Sequence, residues 1–414
     1  MRIALVSEHA SPLAAPGPPG GESVQVAELA AGLVRLGNDV TVYTRRDGPD
    51  SPTTVSSSDG YQVVHLAAGP ARRLPPDELW PHMREFAREL GDWFDLTRPD
   101  VAHAHFWMSA WATSRAASAR HIPWFVSFHG LGVVQRRHQG DADTSPVVRQ
   151  HVERTLIRNG EVIATCSEEM AELIALGGNP HRIAVLPCGV DLQRFTPDPQ
   201  PRPPSGHPFQ ILSVGRLAPH KGFDLAIRAL TDVPGSELLI AGGPGGQDMD
   251  SDPEAGRLRG LAAELRVADR VRFLGPVRHE DMPALFRSAD VVVCAPWYEP
   301  FGIVAVEAMA CGVPVVATAV GGLLDTVADG VTGRHVAPGD AAALASAINA
   351  LRTAPRRRSA YGRAARHLAE SCYSSTWVAQ RTAALYQAAA AIQRDRPPRA
   401  VSSNRLGRHS VPTV

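Results

Sequence analysis

Short apolar runs, most of them followed by a stretch of helical period, recur along this chain in two series separated by one proline-rich break. Strands that are short and apolar along their whole length suit a parallel sheet covered on both faces, so the alternation predicts α/β folding in each half. The first series places strands at 3–7, 39–44, 62–66, 101–105, 124–128, 162–164 and 183–186, with a Gly/Pro-rich loop at 16–21 and a helix at 22–36 completing a β-loop-α-β unit. The second places strands at 210–214, 237–241, 271–274, 291–294 and 314–317, with helices opening at Phe223, Pro253, Asp281 and Gly302. Between them, 196–208 is too rich in proline to continue either regular structure, because proline lacks the backbone donor and fixes φ. The expected organisation is therefore a Rossmann-like domain at 1–195, a linker at 196–208 and a second Rossmann-like domain at 209–372. A C-terminal helix at 373–393 packs back toward the first domain, and the tail at 394–414 is disordered. Two such sheets facing each other leave a cleft.

The balance of 42 basic against 42 acidic residues removes compositional support for nucleic-acid binding by phosphate neutralisation. No apolar run approaches the roughly 18–20 residues of a membrane span, and no cleavable signal precedes the strand at 3–7, so a cytoplasmic protein without membrane insertion is expected. The cysteines (Cys166, Cys188, Cys294, Cys311, Cys372) are odd in number and scattered without a Cys-x-x-Cys pair, which argues against a disulfide framework or zinc knuckle.

Lys221 is the single lysine among the 42 basic residues. Where arginine has replaced lysine everywhere else, a surviving ammonium points to a tight anion site that the broad guanidinium would not serve, with chance survival as the plain alternative. Lys221 lies in the run 213–222, which leaves the carboxyl end of a strand and enters a helix, where open α/β sheets bind ligands. Arg216 and Lys221 would present two cations there, and Gly215 would let a diphosphate approach the backbone; two solvated surface charges are the plain alternative. The run 297–312 follows the strand at 291–294. Glu299 stands in its loop and Glu307 about one and a half turns into the helix, with the helix start near Gly302 between them as a site for a phosphate or polyol. The two carboxylates could form an acid/base pair or simply accept from sugar hydroxyls. His129 ends the strand 124–128 on the cleft side. His103 and His105 share one strand face at a spacing compatible with metal ligation, but no third ligand is evident.

Together these segments resemble the retaining, nucleotide-sugar-dependent glycosyltransferases of family four with the GT-B fold. The resemblance rests on Arg216, Lys221, Glu299 and Glu307, with 307–312 reading Glu-Ala-Met-Ala-Cys-Gly, and on Gly20-Gly21, Tyr43-Thr44-Arg45, His103-Ala104-His105, Phe128-His129-Gly130, Ser167-Glu168-Glu169-Met170 and Pro187-x-Gly189-Val190-Asp191. It implies a metal-independent hexosyltransferase without a cofactor, using a UDP- or GDP-sugar. By the same resemblance Arg216 and Lys221 hold the donor diphosphate, Glu307 the ribose, and Glu299 the sugar hydroxyls. His129 reaches the transferred sugar, and Gly21, Gly215, Phe301, Gly302 and Ile303 complete the donor site. A homodimer is compatible with it.

Within the family the chain is most similar to the actinobacterial mycothiol-pathway enzymes that glycosylate inositol phosphate, sharing 9–13, 67–70 and His105-x-Trp107. The acceptor positions depart from that pattern: Ser23, Pro76, Phe106, Gly130 and Arg149 stand where those enzymes place Asn, Lys, Tyr, Thr and Arg. Losing the Lys, Tyr and Thr donors removes several bonds worth about 1.5–3 kcal/mol each, so inositol phosphate is not the expected acceptor. The aromatic neighbourhood of Phe106, Trp107 and Trp111 instead offers a pocket for a small polar or cationic acceptor, reacting through a hydroxyl or thiol in low-molecular-weight thiol or natural-product biosynthesis, if those rings are not core. A nucleotide-sugar epimerase or hydrolase of the same architecture, a noncatalytic sugar-nucleotide sensor, and a pyridoxal-dependent phosphorylase using Lys221 are the alternatives.

Overall fold

A computed structural model describes residues 1–13, 21–198, 208–245 and 248–395. The first sheet contains β1 (Arg2–Val6), β2 (Asp39–Arg45), β3 (Thr54–Ser56), β4 (Gln62–Leu66), β5 (Val101–His105), β6 (Trp124–Ser127), β7 (Glu161–Ala164) and β8 (Ile183–Val185). Its helices are α1 (Gly21–Arg35), α2 (Met83–Thr97), α3 (Trp107–Ser118), α4 (Gly132–Gln139), α5 (Arg149–Asn159) and α6 (Ser167–Ala175). The second sheet contains β9 (Phe209–Val214), β10 (Ser236–Ala241), β11 (Val271–Gly275), β12 (Val291–Cys294), β13 (Val315–Thr318) and β14 (Gly333–Val336). Around it lie α7 (Phe223–Leu230), α8 (Asp248–Ser251), α9 (Pro253–Glu264), α10 (Met282–Ser288), α11 (Ile303–Ala310), α12 (Leu323–Thr326), α13 (Ala341–Arg352) and α14 (Pro355–Cys372), before α15 (Ser375–Asp395).

The strand order is β3-β4-β2-β1-β5-β6-β7-β8 in the first sheet and β11-β10-β9-β12-β13-β14 in the second. Every pairing is parallel except the short edge strand β3 against β4. Both orders reverse direction beside their first strand, between β1 and β5 and between β9 and β12. Adjacent connections leave to opposite sides at such a point, so a crevice opens at the carboxyl ends. The predicted strands are present, and the central ones (Leu5, Val6, Leu212, Val292) are fully buried.

Six elements escaped the sequence reading, two of them the four-residue helices α8 and α12. The polar edge strand β3 is largely exposed and has no apolar pattern, and β14 carries Arg334 and His335 in its middle. Helix α13 was not anticipated, nor was α14, whose buried residues are only Gly362, Ala365 and Ala369. Helix α15 crosses back to the first sheet and packs on α1 and β5. At that crossing Gly32 allows the close approach, since a Cβ there would lie 2.7 Å from Ala379 Cβ. The predicted linker falls largely on 199–207, the Gly/Pro loop on 14–20 and the predicted tail on 396–414, all outside the described residues. Among the described residues no helix is long and apolar enough to cross a membrane.

Candidate active site

The loop after β9 closes as a 3-10 turn, Pro219–Lys221, and then reverses at Gly222 with φ +69°. A Cβ on Gly222 would lie 1.8 Å from the carbonyl oxygen of Ala295, so the turn that presents Lys221 requires glycine there. Gly222→Ala is expected to destabilise the fold by about 2 kcal/mol or more, measured as a lowered denaturant midpoint at unchanged m.

Lys221 donates from Nζ to Glu299 Oε2 at 2.7 Å. Burial alone would push the Glu299 carboxyl up, but Lys221 and the backbone N–H groups of Gly302 and Phe301 outweigh it and hold it below the usual carboxylate range. Arg216, exposed on the same loop, makes no ion pair among the described residues. Glu307, in the second turn of α11, accepts from His279 Nε2 at 3.1 Å. Arg194 donates to His279 Nδ1 at 3.0 Å, so the histidine presents its Nε2–H to the carboxylate. The sequence reading missed His279; its only signal was a polar residue just past the carboxyl end of β11.

Two chambers open from this floor. The first, about 510 Å³, is walled by the second sheet's loops and includes Gly215, His279 and Glu307. The second, about 410 Å³, lies between the two sheets and includes Phe106, His129, Gly130, Arg149 and Phe301. Gly21, Arg216, Lys221, Glu299, Gly302 and Ile303 line both, so the ion pair stands where the chambers meet. Contacts from first-sheet to second-sheet elements bound the cleft. Gln139 donates to the Tyr298 hydroxyl at 2.7 Å, and Ser167 donates from N and Oγ to Asp325 at 2.7 and 2.6 Å.

Not every predicted acceptor residue reaches the second chamber. Trp107 and Trp111 do not line it, which corrects the aromatic-pocket expectation. Trp107 is buried and stacks on Trp80 at 4.8 Å, while Trp111 meets Trp80 edge-on at 5.3 Å beneath Arg115. Helical phase is the reason: positions i and i+4 of α3 share the face turned into the core, whereas Phe106, just before the helix with φ 75°, turns to the cleft. Ser23 lines neither chamber.

The guanidinium of Arg149 lies 5.1 Å from the Phe106 ring centroid and is consumed by its neighbours, donating to Glu153 at 2.8 Å, Gly130 O at 2.7 Å and Gln135 Oε1 at 2.9 Å. Around it the wall carries Glu22, Glu168, Glu169 and Glu172, of which Glu22 is met by His9 and Glu172 by Arg137. Glu169 accepts from the Thr165 N–H and hydroxyl at 2.7 Å, and burial pushes its carboxyl up.

Behind Phe106, His9 sits between Glu8 at 2.9 Å and Glu22 at 3.5 Å. Burial would depress its imidazole, but the two carboxylates outweigh this and raise it to about 9. A group raised in the folded state stabilises fully below its unfolded value, near 6.5, and loses that contribution as pH rises through the folded one. The stability advantage of wild type over His9→Gln should therefore shrink between pH 6.5 and 9.5, read from denaturant midpoints at each pH.

His129 follows β6 with φ 54° and stacks on His105 at 5.1 Å. His103 and His105 lie ring against ring at 4.3 Å. Among the described residues, no group of three or more His, Cys, Asp or Glu side chains could hold a metal ion.

Comparison with known proteins accounts for this layout. Residues 19–194 match the family described as Glycosyltransferase Family 4, and 196–368 match Glycosyl transferases group 1. The chain is 36% identical over 391 residues, covering 91% of itself and 81% of the relative, to the D-inositol 3-phosphate glycosyltransferases of Mycobacterium bovis (strain BCG / Pasteur 1173P2) and Mycobacterium tuberculosis (strain H37Rv). Among solved structures, it resembles a sucrose-phosphate synthase from Thermosynechococcus elongatus with a TM-score of 0.87 at 32% identity, covering 94% of this chain and 99% of that one. It shares its fold with Anabaena HepE in complex with UDP-glucose, at a TM-score of 0.71 and 22% identity, covering 94% and 100%. With two parallel-sheet domains and both halves matched, the chain belongs to the family 4 glycosyltransferases of GT-B fold.

Proposed function

We propose that this glycosyltransferase moves a sugar, with retention of anomeric configuration, from a nucleoside diphosphate sugar to a small neutral or cationic acceptor. The observation that carries the reading is the Lys221–Glu299 pair, with Arg216 beside it, at the junction of two chambers. The first chamber takes the nucleotide, with Glu307, oriented by His279, on the ribose hydroxyls. Arg216, Lys221 and the α11 N-terminus receive the diphosphate, Glu299 accepts from the sugar hydroxyls, and His129 faces the sugar from the other side. HepE was crystallised with UDP and with UDP-glucose, which favours a UDP-sugar as the first donor to test.

Breaking the anomeric C–O bond builds positive charge on the sugar and negative charge on the departing diphosphate. Two cations at that oxygen, Lys221 and Arg216, stabilise the separation. The acceptor hydroxyl or thiol enters from the second chamber on the same face. Its proton passes to the departing phosphate oxygen as the new bond to the anomeric carbon forms, and no protein nucleophile or metal is invoked. The relatives named for D-inositol 3-phosphate set the comparison for the acceptor. Here Phe106 and Gly130 offer no side-chain donor, Arg149 is already engaged, and the wall carries carboxylates. A small polar or cationic substrate of thiol or natural-product metabolism suits that lining.

A thermal-shift panel of UDP-, GDP-, ADP- and dTDP-sugars identifies the donor. Proton coupling constants of the product from a GDP- or UDP-α-sugar should report an axial linkage, formed equally in EDTA. An equatorial linkage, or activity that EDTA abolishes and one metal restores, would overturn the mechanism.

A further inference from the structure

Glu299 stands in a loop that both domains hold. Within its own domain, the Trp297 N–H donates to the carbonyl of His220 at 2.9 Å, and the Gly322 N–H donates to the carbonyl of Glu299 at 2.9 Å. The Lys221–Glu299 bond joins the same two loops through their side chains. On either side of Glu299 the first domain takes hold. The Tyr298 hydroxyl accepts from Gln139 of α4 at 2.7 Å. Pro300 abuts the first domain's backbone, since a Cβ on Gly130 would touch its ring at 3.4 Å.

Two imidazoles stack on the Tyr298 ring, one from each domain. His138 of α4 lies 5.1 Å away, centroid to centroid, with 21° between the planes, and His220 lies 5.4 Å away with 25° between them. Burial, then Lys221 and Arg216, depress His220 to about 4, so at neutral pH it stacks as a neutral ring. Each half of the ion pair therefore follows a stacked ring by one residue: Lys221 follows His220, and Glu299 follows Tyr298. Moving the first domain away from the cleft would take His138 and Gln139 off Tyr298 and leave it the His220 contact alone.

We propose that Tyr298 is a positioning residue for the reaction: stacked on His138 of one domain and His220 of the other, it keeps the Lys221 and Glu299 loops in register while α4 lies against it, so that closing the cleft assembles the ion pair. The functional meaning rests on the reading that this pair meets the donor, but the first test does not.

Because Lys221 is the chain's single lysine, ¹⁵N-lysine labelling gives one ammonium signal. At neutral pH the protons of a solvated ammonium exchange with water too fast to be observed, whereas those of an ammonium held on a carboxylate persist. The wild type without ligand should show the signal. Tyr298→Ala should lose it, and so should the double variant His138→Ala, Gln139→Ala, which alters α4 and leaves every residue of the second domain in place. Tyr298→Phe keeps both stacks and should retain it. In single-turnover release of the nucleoside diphosphate from the donor with the largest thermal shift, the α4 double variant should be slowed by roughly 10–100-fold. Its donor affinity should stay within about threefold of wild type, the split expected of positioning rather than binding. Absence of the signal from the wild type, its survival in a folded α4 double variant, its loss in Tyr298→Phe, or near-native release by the double variant would each overturn the proposal. The signal is read without donor or acceptor, so its failure is distinct from failure of the glycosyl-transfer reading, which would appear as no release from any donor.

Discussion

Lys221→Ala is expected to lower turnover by about 10²–10³-fold, the effect of removing one preorganised charge from a site where negative charge develops. Lys221 reaches the chamber junction from a turn held by Gly222, and its partner Glu299 is fixed by backbone N–H groups as well as by the ammonium. The substitution therefore removes the cation without removing the scaffold. The melting temperature should change little, and Glu299, relieved of its largest favourable interaction, should titrate higher. Lys221→Arg should not restore the rate, because a planar fork cannot occupy the position of a compact ammonium. The measurement is single-turnover release of the nucleoside diphosphate from the donor that gives the largest thermal shift. Near-native release by a folded Lys221→Ala protein would remove Lys221 from the reaction.

The second large effect concerns the acceptor. Inositol phosphate should be a poor substrate with every donor, by a thousandfold or more in kcat/KM relative to a neutral or cationic acceptor of similar size. The loss of two or three donors to a charged group, at about 1.5–3 kcal/mol each, accounts for a deficit of that order. The structure adds two reasons that residue identities alone did not contain. Arg149 spends its guanidinium on Glu153, Gln135 and Gly130. Glu22, Glu168, Glu169 and Glu172 put carboxyl groups in place of donors on the wall a phosphate would approach, with Glu22 met by His9 and Glu172 by Arg137. A competition assay with inositol phosphate against a panel of amines, betaines, thiols and polyols reads the outcome directly, and efficient turnover of inositol phosphate would overturn the assignment of this wall.

Much of this protein was legible before any coordinates. Strand-helix alternation depends on local periodicity, which the amino-acid order carries in full, so both parallel sheets and the long C-terminal helix could be read from it. The placement of Arg216, Lys221, Glu299 and Glu307 was legible for a related reason: the first three stand in loops that leave the carboxyl end of a strand in an open parallel sheet, where the crevice must lie, and Glu307 in the helix that one of those loops enters. The single lysine in an arginine-rich chain pointed to the same place.

What the order of residues could not decide was direction and company. Trp107 and Trp111 share an aromatic neighbourhood with Phe106, yet only Phe106 faces the cleft, because helical phase begins one residue after it and turns the tryptophans into the core. Arg149 looks like a phosphate ligand until Glu153, one helical turn away, is seen neutralising it. His279, His9 and the histidine row behind His129 depend on contacts between residues up to 283 positions apart, as between His103 and Tyr386. A charge or a tautomer is a property of surroundings, and only the packing of distant segments supplies them.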